Sequence, residues 1–224
     1  MTDALLDGKV YRLDLGFVNA YLVDDGEVTL VDAGTPGAAD SLRAELEAAG
    51  YAPADLDRVL VTHFDLDHVG GLARLGAEAP VHAMEPDASV VDGSATPPLS
   101  TQKGLLQRLM ALRYTPPDRP VDRVADGEAV GGFTAHHAPG HTPGHTVYRH
   151  DTLPVALLGD CVREAGGRLK TPPWFLNNDT AENAASVRSL ADRELAFAVA
   201  AMGHGEPLVE GGDEALRALA RRLG

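Results

Sequence analysis

The sequence predicts an α/β layered domain. Three observations carry that expectation: short apolar strand-like runs alternate with helical periodicities, no break in composition divides the 224 residues, and 44% of them are hydrophobic. A chain of this length buries roughly 70% or more of the surface it exposes when unfolded. It needs neither disulfide nor structural metal to fold, so any metal should serve chemistry.

Strands open the chain at Lys9–Leu13, Ala20–Val23 and Val28–Val31. The last two are joined by the turn signal Asp24-Asp25-Gly26-Glu27, which predicts a small antiparallel sheet. Leu42, Leu46 and Ala49 then recur at helical spacing, giving a helix over Ala38–Ala49 that Gly50 ends. Val59–Val61 reads as a short buried strand, Leu72–Leu75 as a short helix and Pro80–Ala83 as a strand. Further strands are expected at Phe133–Ala138, Thr146–Tyr148 and Val155–Leu158, and amphipathic helices at Asp179–Asp192 and Asp213–Leu223 flank a strand over Leu195–Ala201. Residues 92–120 break this rhythm. Prolines at 97, 98, 116 and 117 bracket a helix over Gly104–Tyr114, with Leu105, Leu109 and Leu112 on one face and Leu106 and Met110 beside them. This insertion reads either as a helix capping the core or as a lid or pocket wall.

Nineteen basic against 33 acidic side chains leave a net charge of −14. Such a field repels polyanions, so nucleic acid and anionic membrane are disfavoured and a small molecule is the expected partner. The lone Cys161 cannot make an intrachain disulfide. Asp3, Asp7 and Asp14 interrupt the segment where a signal peptide would need an apolar run, so the cytoplasm is the expected compartment.

The chemistry concentrates after the strand at 59–61, where Thr62-His63-Phe64-Asp65-Leu66-Asp67-His68-Val69-Gly70-Gly71 packs four potential metal ligands into six residues. In extended backbone, side chains two apart share a face, so His63, Asp65 and Asp67 should converge while His68 points elsewhere. Three more strand ends deliver similar groups beside glycine: His141 in Ala138-Pro139-Gly140-His141-Thr142-Pro143-Gly144-His145, Asp160 in Leu157-Leu158-Gly159-Asp160, and His204 in Gly203-His204-Gly205.

In this order, together with Thr29-Leu30-Val31-Asp32-Ala33-Gly34, these segments resemble the five motifs of the metallo-β-lactamase fold superfamily, from Asn19 to Gly205. The resemblance implies a four-layer αβ/βα sandwich carrying two divalent metal ions at one edge of its sheets, zinc first, with iron or manganese as alternatives. Carried over by position, site one would use His63, Asp65 and His141, and site two Asp67, His68 and His204. Asp160 would bridge, Asp32 would support the metal loop, and Asp67 would also hydrogen-bond the nucleophile. The activity implied is attack of a metal-held hydroxide on an ester, thioester or lactone carbonyl.

One position departs from the family pattern, which normally has histidine where this chain has Asp65. An oxygen donor makes site one harder, and a third carboxylate makes the centre less positive. Hence two alternatives: an iron-containing redox protein, as in the flavodiiron branch, whose motif has glutamate there, or a binding module without metal.

The other candidates read more plainly. His137 and His145 are expected to orient His141 or touch substrate, His82 to pack, and His136 and His150 to lie at the surface. Cys161 should be a small buried side chain. Trp174-Phe175-Leu176 should belong to the core or to an apolar pocket wall facing the insertion helix.

Overall fold

The computed structural model describes residues 2–224, and its strands form two facing sheets. The first holds seven in chain order: β1 (Asp3–Ala4), β2 (Val10–Asp14), β3 (Asn19–Asp24), β4 (Val28–Val31), β5 (Arg58–Leu60), β6 (Val81–Met84) and β7 (Val121–Val124). Pairing is antiparallel through β4 and parallel from there on. The opening hairpins are therefore one end of a mixed sheet, because β4 offers its second edge to β5. The other sheet draws on β8 (Ala129–Val130), β9 (Phe133–His137), β10 (Thr146–His150) and β11 (Val155–Gly159). After a small ribbon of β12 (Arg163–Glu164) and β13 (Leu169–Lys170), β14 (Val199–Met202) joins it parallel to β11.

Among the described residues, six α-helices complete the fold: α1 (Ala39–Ala49), α2 (Leu66–Val69), α3 (Asp87–Val91), α4 (Gln102–Met110), α5 (Thr180–Asp192) and α6 (Gly212–Leu223). Strand alternation explains the layering. Along β11, Val155 and Leu157 face the other sheet with Tyr21, Val23, Phe133 and Tyr148, while Ala156 and Leu158 pack under Val187 and Leu190 of α5 and Leu216 and Leu219 of α6. Along β3, Leu22 faces Leu42 and Leu46 of α1, while Tyr21 and Val23 face inward. Helices, sheet, sheet and helices thus make the αβ/βα sandwich. No described helix is long and apolar enough to cross a membrane.

Two expectations need correction. The strand expected over Leu195–Ala201 is only Val199–Met202, because Glu194 adopts a left-handed conformation (φ 51°) and turns the chain before it can enter the sheet. The core-capping reading of the insertion also fails. Leu105, Leu106, Leu109, Met110 and Leu112 of this segment are all exposed, whereas Lys103, Gly104 and Gln107 are buried, so α4 turns its polar face inward.

Candidate metal centre

Loops at one edge of the two sheets bring together all seven side chains singled out as ligands. His63 and Asp65 lie beyond β5, His141 lies between β9 and β10, Asp160 follows β11, and His204 lies beyond β14. The donor atoms form three groups, His63 with Asp65 and His141, His63 with His68 and Asp160, and Asp67 with His68 and His204, each within 4.8 Å. The extended reading of 63–68 holds only as far as Asp65. There α2 begins, with the His68 and Val69 amides donating to the Asp65 carbonyl, so Asp67 and His68 leave together toward His204.

Each imidazole is aimed by its other nitrogen. Asp32 accepts from the Thr62 amide at 2.8 Å, the Thr62 hydroxyl at 2.7 Å and His68 Nδ1 at 2.8 Å. With its proton given to Asp32, the Thr62 hydroxyl accepts from His63 Nδ1 at 3.0 Å. His141 Nδ1 donates to Asn177 Oδ1 at 3.1 Å and His204 Nδ1 to the Phe17 carbonyl at 2.6 Å. All four rings therefore turn Nε2 toward the cluster, the arrangement by which outer partners orient metal-binding histidines.

Several atoms there call for a cation. His63 Nε2, His68 Nε2 and Asp160 Oδ1 are buried without a hydrogen-bond partner. Burial presses the His68 pKa downward, but Asp160 and Asp32 outweigh it and lift it to about 9. His204 is likewise lifted against burial to about 11 by Asp160 and Asp67. Asp160 Oδ2 lies 3.2 Å from His204 Nε2, and Asp67 Oδ2 lies 3.4 Å from the same atom. The backbone leaves room only because residue 203 is glycine: a Cβ there would stand 2.2 Å from Asp160 Oδ1. Asp67, His68, His204 and Asp160 thus fit a divalent ion.

In the other half two of the three side chains are already engaged, while His63 Nε2, without a hydrogen-bond partner, stands 3.3 Å from Asp65 Oδ2. Lys103 Nζ, on α4, donates to Asp65 Oδ2 at 2.8 Å and to His141 Nε2 at 2.6 Å, and Gln107 Nε2 donates to Asp65 Oδ1 at 2.8 Å. Because Nδ1 of His141 is the protonated nitrogen, Nε2 accepts from the ammonium, and its 3.1 Å approach to Asp65 Oδ2 is shared convergence on that charge. Burial and the Lys103 charge together press the His141 pKa down to about 4. Burial would raise the Asp65 carboxyl, but Lys103 and the neighbouring histidines hold it well below the usual range. His63, Asp65 and His141 therefore do not fit a second ion in the way the motif implies.

Sequence reasoning missed Lys103, Gln107 and Asp87. Buried Asp87 opens α3 and accepts from the Phe64 amide at 2.8 Å, the Thr142 hydroxyl at 2.6 Å and the Gly144 amide at 2.8 Å, tying the His63 loop to the His141 loop. No local signal marks it. For Lys103 and Gln107 a signal existed, since their spacing of four puts them on one helical face. His145 Nε2 accepts from the Asp160 amide at 3.0 Å and so positions that carboxylate.

His136 and His150, expected at the surface, are buried. His150 sits inside because Asp25 and the Thr152 and Leu153 amides satisfy both ring nitrogens. His136 is covered where Arg193 donates to its Nδ1. Cys161 is buried as expected, with its thiol pKa raised by burial. Trp174, Phe175 and Leu176 are exposed, which overturns core packing; Phe175 and Leu176 line the cavity above the cluster.

A profile of the Metallo-beta-lactamase superfamily matches residues 13–204, spanning every element that carries these ligands. The chain belongs to that superfamily. Among solved structures, a metallo-beta-lactamase family protein from Thermus thermophilus is 27% identical and superposes with a TM-score of 0.69, over 98% of this chain and 80% of that one. A hydroxyacylglutathione hydrolase from Ruegeria pomeroyi is 41% identical over 87 residues, 33% of this chain and 32% of that protein. A probable metallo-hydrolase from Mycobacterium bovis is 30% identical over 112 residues, 36% of each chain. The match spans about a third of the length of these curated relatives. The superfamily implies divalent metal binding, and its members are mostly metal-dependent hydrolases.

Proposed function

We propose that this superfamily member is a metal-dependent hydrolase of a small ester, thioester or lactone. One observation supports the reading above all: the candidate ligand cluster forms the floor of a 360 Å³ cavity whose walls are mostly apolar, built from Leu106, Met110, Val162, Phe175 and Leu176 with Arg163 also on the lining. Such a cavity suits an uncharged acyl group delivered to a polar floor. The net charge of −14 argues against a polyanionic substrate.

Asp67, His68, His204 and Asp160 would hold the ion, and a set of imidazoles and carboxylates suits zinc. When bound, the ion supplies Lewis acidity and makes a nucleophile available from water near neutral pH. The rest falls to the chain. Asp67 faces the cavity and accepts the proton of the attacking water on its carboxylate. Asp160, held by the His145 contact, keeps its oxygens toward His68 and His204. Leu106, Met110 and Phe175 hold the apolar part of the substrate and keep bulk water from it.

The test is turnover of activated esters, thioesters and lactones of increasing acyl length. Activity should vanish on chelation, return with added zinc, and improve with acyl length. Turnover indifferent to chelation would end this reading.

A further inference from the structure

Lys103 lies on the inward face of the insertion helix, and its side chain is 5% exposed. Lysine is almost never so buried without a counter-charge, and Asp65 supplies one. The position is built, not incidental. Thr101 caps α4 by accepting from the Gly104 amide, and its hydroxyl donates to Asn178. At Gly104 a Cβ would stand 2.0 Å from the Pro98 carbonyl oxygen, so the helix seats closely only with glycine there. Gln107, one turn on, also donates to the Phe64 carbonyl at 2.7 Å, fixing α4 against the loop that carries Asp65.

We infer that the ammonium of Lys103 is the resident cation of site one, and that the chain takes a single divalent ion, at site two. This rests on the metal-binding reading above. Both oxygens of Asp65 and Nε2 of His141 already accept from protein N–H donors, which engage lone pairs that a metal in site one would need and leave only His63 Nε2 of that trio without a partner. The charges agree. Asp65, Asp67 and Asp160 carry −3, and one divalent ion with one ammonium carries +3, whereas two ions beside Lys103 would leave the buried centre at +2. Residue type agrees too. Basic charge in this chain comes from 16 Arg and only three Lys, yet a lysine stands here. A compact ammonium fits between a carboxylate and an imidazole where a planar guanidinium would not. The aspartate that breaks the family pattern at 65 is the partner this ammonium requires.

The test counts ions. Metal-free full-length protein is loaded with excess zinc, freed of unbound metal by gel filtration, and measured by elemental analysis and native mass spectrometry. The wild type should retain one ion per chain. Lys103→Met, which keeps the aliphatic stem, should retain two, and Lys103→Met with His204→Ala should fall back to one. Two ions in the wild type, or the same number in wild type and Lys103→Met, overturns the inference. Should the variant fail to fold, the wild-type number alone still decides. Turnover plays no part in the count: a chain that binds one ion but hydrolyses no acyl compound sinks the hydrolase reading alone, and a hydrolase that holds two ions sinks this one alone.

Discussion

The two halves of the ligand cluster share a scaffold and differ in how their charge is balanced. Around Asp67, His68, His204 and Asp160, imidazoles and carboxylates face one another at 3.2–3.5 Å, and among the described residues neither Asp67 nor Asp160 pairs with a lysine or arginine. Around His63, Asp65 and His141, a helix from outside the motifs inserts an ammonium and an amide. The difference teaches that a segment between motif-bearing loops can refit half of a centre without touching the other half.

The largest way to break that contrast is at the chemical half. Asp67→Ala should lower turnover on the order of 10³-fold, the scale of a positioned proton acceptor. Initial rates measure it, and a loss under about tenfold would leave the two halves functionally alike. Asp87 ties the loops of both halves through three hydrogen bonds to a buried carboxylate. Asp87→Ala should cost about 3 kcal/mol in urea unfolding, and a cost under about 1 kcal/mol would mean each loop holds itself. Gln107 touches one half only. Gln107→Leu should cost about 1 kcal/mol and leave turnover near the wild-type value, so a large fall in rate would show that site one takes part in the chemistry.

The smallest effect sets the background against which both halves are read. Hydrogen bonds from Tyr51 at 2.6 Å and the Gly26 amide hold the Asp24 carboxyl below its ordinary range, and Arg193 does the same for Asp126. A carboxylate depressed on folding stabilises fully above its unfolded pKa of about 4 and stops doing so as pH falls through the folded value. Unfolding free energy should therefore drop as pH falls below about 4. Tyr51→Phe should shallow that drop; an unchanged acid limb would show that Asp24 contributes nothing to it.

Much of this was legible in the chain itself because the signals are local. Short apolar runs placed β3, β4 and β11 and the helical period of α1, α5 and α6 placed the helices, each within a few residues, since these patterns are local to the backbone that carries them. The candidate ligands were legible because four of them crowd into residues 63–68 and the other three each follow a glycine near a strand end. What failed was context. An apolar face at helical spacing in 104–114 left core cap and pocket wall both open; the face is exposed, with Leu106 and Met110 lining the cavity, because Lys103 and Gln107 on the opposite face meet the buried acceptors at Asp65 and His141. His136 and His150 were misread because partners as far along the chain as Arg193 and Asp25 bury them.

By itself the sequence determined the layered α/β architecture, the superfamily, and which seven side chains gather in one cluster, all consequences of motif order along one chain. Only the tertiary structure decided how those side chains divide, since an ammonium 38 residues from its carboxylate leaves no periodicity linking the two. Its charge acts through space, and only folding brings Lys103 within 2.8 Å of Asp65.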